Sequence, residues 1–161
     1  MRKAFLTLFY SGLSPKAPGT VGSLVALFMG LGLLLYLHES TLFMLSILIT
    51  VIAVKQIDIY EAEVGVHDGK EIVIDELAGM WLALSICVPN PQDMNHFIIM
   101  GTLAFLFFRL FDIWKPSIIG KIDQKVKGGW GVMGDDLVAG LAAGIAAVGV
   151  YQLIEKFILA N

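Results

Sequence analysis

The sequence predicts an all-α, polytopic membrane bundle of about five apolar helices with its polar clusters on the cytoplasmic face, and three observations predict it. Hydrophobic residues make up 57% of the chain against 16% charged, and the mean hydropathy is +0.80, above an ordinary soluble domain. Five apolar stretches follow one another along the chain. Seven of the fourteen acidic residues sit in three short clusters wedged between them: Asp68, Glu71, Asp75 and Glu76, then Asp112, then Asp135 and Asp136. Carboxylates are costly at membrane depth unless they pair or bind a cation, so the pattern points to a metal site at a membrane surface.

The 161 residues leave room for one domain, residues 1–161, built of several spanning helices. The net charge of −3 adds little, and no nucleic-acid partner is expected. Cys87 is the single cysteine and lies in an apolar run, so it is read as packing rather than as a disulfide, a thiolate ligand or a reactive thiol. Arg2 and Lys3 open the chain, but the apolar run 4–9 is too short for a secretory signal core and is expected to be retained.

The first apolar stretch, residues 21–37, is rich in Leu, Val and Gly and would reach ~26 Å as a helix, near the thickness of a bilayer core. Residues 41–54 are fewer, and fit a short span, a tilted span or a re-entrant helix. Residues 77–88 and 97–108 also look short until their polar flanks are included; the spans then run 71–88 and 97–114, with charges at one end only. In the last stretch, residues 137–154, Gly140 and Gly144 stand at small-xxx-small spacing, which either lets another helix approach its backbone or reflects a plain accumulation of small residues.

Lysine and arginine prefer cytoplasmic loops. In a five-span topology ten of the eleven fall on one side and Lys156 alone falls opposite. Every polar cluster lands on that same side, so segments distant in sequence would meet at one membrane surface.

The richest cluster is residues 66–76. As a helix it would put Asp68, Glu71 and Asp75 on one face at i, i+3 and i+7, where three like charges call for a cation or a shared proton. Hard oxygen ligands suit magnesium better than zinc or copper. The competing reading is a solvated acidic loop entering a helix, with Asp68 as its cap and Glu71 at the positive dipole end; that accounts less well for Asp75 and Glu76. His67 is a ligand, a proton carrier or neither. Arg109 and Asp112 are three apart on a helix ended by Pro116. They either neutralise each other or divide their work, Asp112 toward a metal and Arg109 toward a phosphate that its guanidinium fork fits. Lys115 adds a second positive contact or anchors at the lipid headgroups. The glycines of residues 128–134 suit a backbone approaching an anion, while one of Asp135 and Asp136 could serve as an N-cap. Residues 11–20 form a turn-rich lead into the first span, with Lys16 and several hydroxyls within reach of a phosphate, or serve only to start the helix.

Four segments, SPKAPGTVGS (14–23), HDGKEIVIDELAGMW (67–81), FRLFDIWKP (108–116) and GGWGVMGDDLVAG (128–140), resemble in order and spacing the phosphatidylglycerophosphatase A family of bacterial membrane lipid phosphatases. Gly69 departs from the proline that follows the aspartate in many members. The resemblance implies magnesium-dependent hydrolysis of the terminal phosphate of phosphatidylglycerophosphate, giving phosphatidylglycerol and phosphate at the cytoplasmic face of the bacterial inner membrane. Under it, Glu71, Asp75, Glu76, Asp112 and Asp136 would hold the metal. Asp75, Asp112, Asp135 and Asp136 would form the catalytic set, with Asp112, Asp135 or Asp136 as general base, and Lys16, Arg109 and Lys115 would grip phosphate oxygens. Cys87 lacks a Cys-x5-Arg loop, no Asp-x-Asp opens a phosphoaspartate motif, and no histidine follows a Ser-Arg run. Direct attack by metal-bound water is preferred over a covalent intermediate, although an aspartyl-phosphate on one of these carboxylates stays open. The rival classes are a cation transporter with an acidic mouth, for which the acid-free spans offer no charged path, and another magnesium-dependent lipid-phosphate enzyme. Of the latter, a CDP-alcohol phosphotransferase lacks its Asp-x2-Asp-Gly-x2-Ala-Arg run here. The oligomeric state is not legible.

Overall fold

Five apolar helices line up antiparallel to their chain neighbours, and the order of their ends decides where the polar residues meet. The computed structural model describes residues 1–65, 69–88, 91 and 93–159. Its elements are α1 (Arg2–Leu6), a 3-10 turn (Ser11–Leu13), α2 (Pro18–Leu34), α3 (Glu39–Val64), α4 (Ile74–Cys87), α5 (Met94–Trp114), α6 (Ile118–Lys125) and α7 (Gly129–Leu159). There is no strand among the described residues. Glu39–Val64, Met94–Trp114 and Gly129–Phe157 are long and apolar enough to cross a membrane, and Pro18–Leu34 is a shorter apolar helix.

The helix ends follow local chemistry. Pro18 starts α2, where its missing N–H costs nothing. His38 caps α3 by accepting from the Ser40 N–H, and Gly65 closes it in the left-handed region at φ 74°. Asp93 caps α5, its carboxylate accepting from the N–H groups of Asn95 and His96 at 2.9 and 3.2 Å. Lys115 ends α5 just before Pro116.

α4 is the centre of the bundle, packed by α2, α3, α5 and α7, and residues 76–84 are all buried. With 14 residues it would reach only ~21 Å, but a helix enclosed by other helices need not match the lipid thickness. Buried polar atoms tie it to its neighbours. The Trp81 indole N–H donates to the Ala26 carbonyl at 2.9 Å and the Ser46 hydroxyl donates to the Ala78 carbonyl at 2.7 Å.

The α4–α7 interface is the most extensive in the bundle, and the small-residue spacing read from the sequence accounts for it. A side chain at Gly140 would strike the Gly79 carbonyl, and one at Gly144 would meet the Ala83 carbonyl and Ile86. α4 and α7 therefore touch backbone to backbone at Gly79 and Gly140. Asp75 and Asp136 each lie four residues, one turn, before that contact.

Three expectations change. The span 71–88 begins instead at Ile74, because residues 69–73 turn: the Ile72 N–H donates to the Gly69 carbonyl at 2.8 Å, and the Val73 N–H donates to the Leu6 carbonyl at 2.9 Å. The stripe of Asp68, Glu71 and Asp75 does not form on one helix, since Glu71 precedes α4; Asp68 and His67 lie outside the described residues. Residues 129–134 are helical rather than a loop, so Asp135 and Asp136 lie about two turns inside α7 and neither is its N-cap. Asp58 of α3 does that work, its Oδ1 accepting from the Gly129 N–H at 2.7 Å. The stretch 41–54 is part of the 26-residue α3, whose polar residues after 54 carry the helix on past the apolar run.

Candidate active site

The starts of α2, α4 and α7 and the ends of α3 and α5 meet at one end of the bundle, as an up-and-down arrangement of five helices requires. The charged residues of four separate segments are thereby brought together.

Asp75 and Glu76 stand in the first turn of α4 and Asp136 faces them from α7. One carboxylate oxygen of each lies within 4.8 Å of the others. They line a cavity of about 220 Å³ together with Asp112, Asp123, Asp135, Lys70, Lys115 and Pro18. Among the described residues, six carboxylates against two ammonium groups leave a strong negative excess around this cavity. Asp75 Oδ1, Glu76 Oε2, Asp135 Oδ1 and Asp136 Oδ2 are all buried without a hydrogen-bond donor. Unsatisfied buried carboxylate oxygens are rare and destabilising, and several in one cavity fit a bound cation. The donors are all oxygen, the set that a hard divalent ion such as magnesium takes.

Beside this negative site, though not among the residues that line its cavity, stands Arg109, mostly buried near the end of α5. Its Nη1 donates to Asp112 Oδ2 at 2.5 Å and to Ser23 Oγ at 3.2 Å, and its Nη2 donates to Thr20 Oγ1 at 3.3 Å. The first turns of α2 therefore hold one side of the guanidinium, and Asp112 the other. Arg109 Nε is buried and unpartnered. Gly19 permits the close approach: a side chain there would run into the Glu76 carboxylate and lie 3.5 and 3.6 Å from the two Arg109 amino nitrogens. The positive end of α2 adds to the same neighbourhood.

Lys115 bridges two acids, its Nζ 2.5 Å from Asp123 Oδ1 and 2.7 Å from Asp135 Oδ2. Burial alone would lower its pKa, but the two carboxylates outweigh that and hold it above its ordinary value. It lines the cavity as a charged ammonium that orients Asp135.

The structure thus brings together Asp75, Glu76, Asp112, Asp135, Asp136, Arg109 and Lys115 of the residues expected from the sequence. It sets two apart. Glu71 does not line this cavity; its Oε1 accepts from the Tyr60 hydroxyl at 2.9 Å at a neighbouring recess. Lys16 is exposed in the turn before Pro18, and its side chain lines neither space. The Arg109–Asp112 ion pair forms, and Asp112 nonetheless faces the cavity, so the two readings of that pair are compatible. Asp123 and Asp58 were not anticipated. Neither has a motif around it, and Asp123 acquires its place only because α6 folds back onto α7. Thr20 was among the hydroxyls of residues 11–20 read as within reach of a phosphate, whereas Ser23 belonged only to the segment 14–23 that carries the resemblance; their partner Arg109 is 89 and 86 residues away.

The sequence matches the family profile of phosphatidylglycerophosphatase A over residues 4–151. It is 41% identical over 140 residues to the phosphatidylglycerophosphatase A of Escherichia coli (strain K12), covering 85% of this chain and 76% of that one. It is 34% identical over 142 residues to the protein of the same name from Haemophilus influenzae, covering 88% and 83%. A Bacteroides thetaiotaomicron protein, named as a proposed phosphatidylinositol-3-phosphatase, is 37% identical over 139 residues, with 84% of each chain covered. No solved structure matches significantly. With the family profile spanning nearly the whole chain and its four motifs meeting in one cavity, this protein belongs to the phosphatidylglycerophosphatase A family.

Proposed function

We propose that the protein removes the terminal phosphate of phosphatidylglycerophosphate, giving phosphatidylglycerol and inorganic phosphate, with magnesium as cofactor. The observation that carries this reading is the meeting of Asp75, Glu76 and Asp136 oxygens within 4.8 Å, beside a guanidinium braced for an anion, in a chain of this family.

Asp75, Glu76 and Asp136 would hold the ion, with Asp112 adjoining. A divalent cation there supplies charge neutralisation and Lewis acidity toward a phosphate monoester dianion. The residues supply the rest. Arg109, held between Asp112 and the α2 hydroxyls beside the cavity, would reach phosphate oxygens by exchanging one of those partners for the substrate. Asp135 presents an unpartnered buried oxygen on the side away from Lys115, suited to take the proton of the attacking water as its oxygen bonds to phosphorus. The phosphorus–alkoxide bond then breaks, and the proton taken up by Asp135 passes to the departing alkoxide, so that the lipid leaves as the alcohol. Lys115 keeps Asp135 oriented.

Ten of eleven Lys and Arg residues on the side of the site support an inner-membrane protein with this end toward the cytoplasm. The acyl chains would stay in the bilayer against the exposed apolar faces. A cation transporter accounts for the acids but not for the braced Arg109, and the stretches 77–92 and 137–154 contain no acid to carry an ion across.

The test is phosphate release from phosphatidylglycerophosphate in detergent micelles, with magnesium and then with excess chelator. Release that depends on the metal supports the reading; none in either condition refutes it. A parallel panel of phosphatidate, lysophosphatidate and phosphatidylinositol 3-phosphate compares the substrate with other lipid phosphate monoesters, including the one in the Bacteroides relative's name.

A further inference from the structure

Glu71 is left without a task by the site described above, yet both its side chain and its backbone are held in place. The Tyr60 hydroxyl donates to its Oε1 at 2.9 Å. Its backbone carbonyl lies against Gly12, where any side chain would collide with it. Two residues on, Val73 is tied to Leu6 by a 2.9 Å backbone hydrogen bond. A carboxylate oriented this way is prepared to accept a hydrogen bond at little further entropic cost.

What it faces is a second recess of about 290 Å³, bounded also by Gly12, Ser14 and Pro15. Pro18 and Lys70 line both this recess and the cavity of Asp75, Glu76 and Asp136, so the two spaces share a wall. Among the described residues, Lys70 and Glu71 are the charged ones lining the second recess, one cation and one acceptor.

The activity proposed above, on which this inference rests, involves a headgroup of matching chemistry. Next to the terminal phosphate is a glycerol with a free secondary hydroxyl, and beyond it an anionic diester phosphate. With the monoester in the carboxylate cavity, the glycerol would cross the shared wall. We propose that Glu71 accepts a hydrogen bond from that hydroxyl while Lys70 faces the diester phosphate, making this recess the determinant that selects the phosphoglycerol headgroup. Simpler lipid phosphates lack both groups and would leave the Glu71 carboxylate with the Tyr60 hydroxyl but without the substrate's donor.

The test uses the full-length protein in micelles and two substrates: phosphatidylglycerophosphate and an analogue with 1,3-propanediol in place of the headgroup glycerol, which keeps both phosphates and lacks the hydroxyl. Wild-type kcat/KM should fall on the order of tenfold for the analogue, the value of one hydrogen bond to a charged group. Glu71→Ala should no longer distinguish the two substrates. Tyr60→Phe, which leaves the carboxylate but loosens it, should give an intermediate ratio, and it carries the test if the alanine variant does not fold. Equal wild-type rates on both substrates, or a variant ratio equal to that of the wild type, would overturn the assignment. Absence of metal-dependent release from either substrate would instead overturn the activity on which it rests.

Discussion

Replacing Gly140 by alanine should separate the two halves of the carboxylate site without touching a charged residue. A Cβ at Gly140 would stand 3.0 Å from the Gly79 Cα and closer still to its carbonyl oxygen, where ordinary carbon contacts settle at about 3.5 to 4.0 Å. Since the obstacle is backbone, α4 and α7 must part by roughly half an ångström to an ångström. Asp136 is one turn from that point on α7, and Asp75 and Glu76 are one turn from it on α4, so most of the displacement reaches them. Overpacking of this kind costs about 1–3 kcal/mol of stability, and a shift near 1 Å at reacting groups costs on the order of 10²-fold in rate. Gly149→Ala on the same helix is the control, because nothing stands within 4 Å of the added methyl; it should be neutral or slightly stabilising. The assay is magnesium-dependent phosphate release alongside thermal unfolding in the same detergent. A Gly140→Ala protein with wild-type kcat would refute the argument that the glycine contact sets the carboxylate spacing.

Asp75→Asn keeps shape while deleting one buried charge, and metal-dependent release should fall by about 10²-fold or more; wild-type turnover would remove Asp75 from the site. Arg109→Lys retains the charge but loses the fork shared among Asp112, Thr20 and Ser23, so kcat/KM should drop by roughly 10²-fold, and an unchanged value would show that a point charge suffices. Asp123→Asn removes one of the two anions of Lys115 and lets the ammonium turn fully to Asp135. Steady-state kinetics should show a modest loss, on the order of fivefold, smaller than for Asp135→Asn because a partly exposed ion pair is worth about 0–1 kcal/mol; the reverse order would reassign the two acids.

Much of the fold could be read from the chain because hydropathy registers apolar runs well. It registers helix ends poorly, for a physical reason that α3 illustrates. After residue 54 its Lys55, Gln56, Asp58, Glu61 and Glu63 continue the helix beyond the apolar run, some of them tied to α1 and α7. α4 shows the converse: polar residues 69–71 before it turn rather than extend the helix, because Val73 is bound to Leu6. The acids of the site were visible as clusters, since unpaired carboxylates beside apolar stretches are improbable without a use. Their sorting was not. Glu71 and Glu76 are five apart in sequence yet face different spaces, a separation created by the turn before Ile74. Asp123 and Asp58 carried no local signal, because each depends on a partner that only tertiary packing brings near.

Magnesium titration calorimetry on the purified protein asks whether carboxylates from two different helices share one divalent cation. The wild type should bind saturably, and binding should be lost to a similar degree in Asp75→Asn on α4 and in Asp136→Asn on α7. Wild-type affinity in either variant would contradict such sharing.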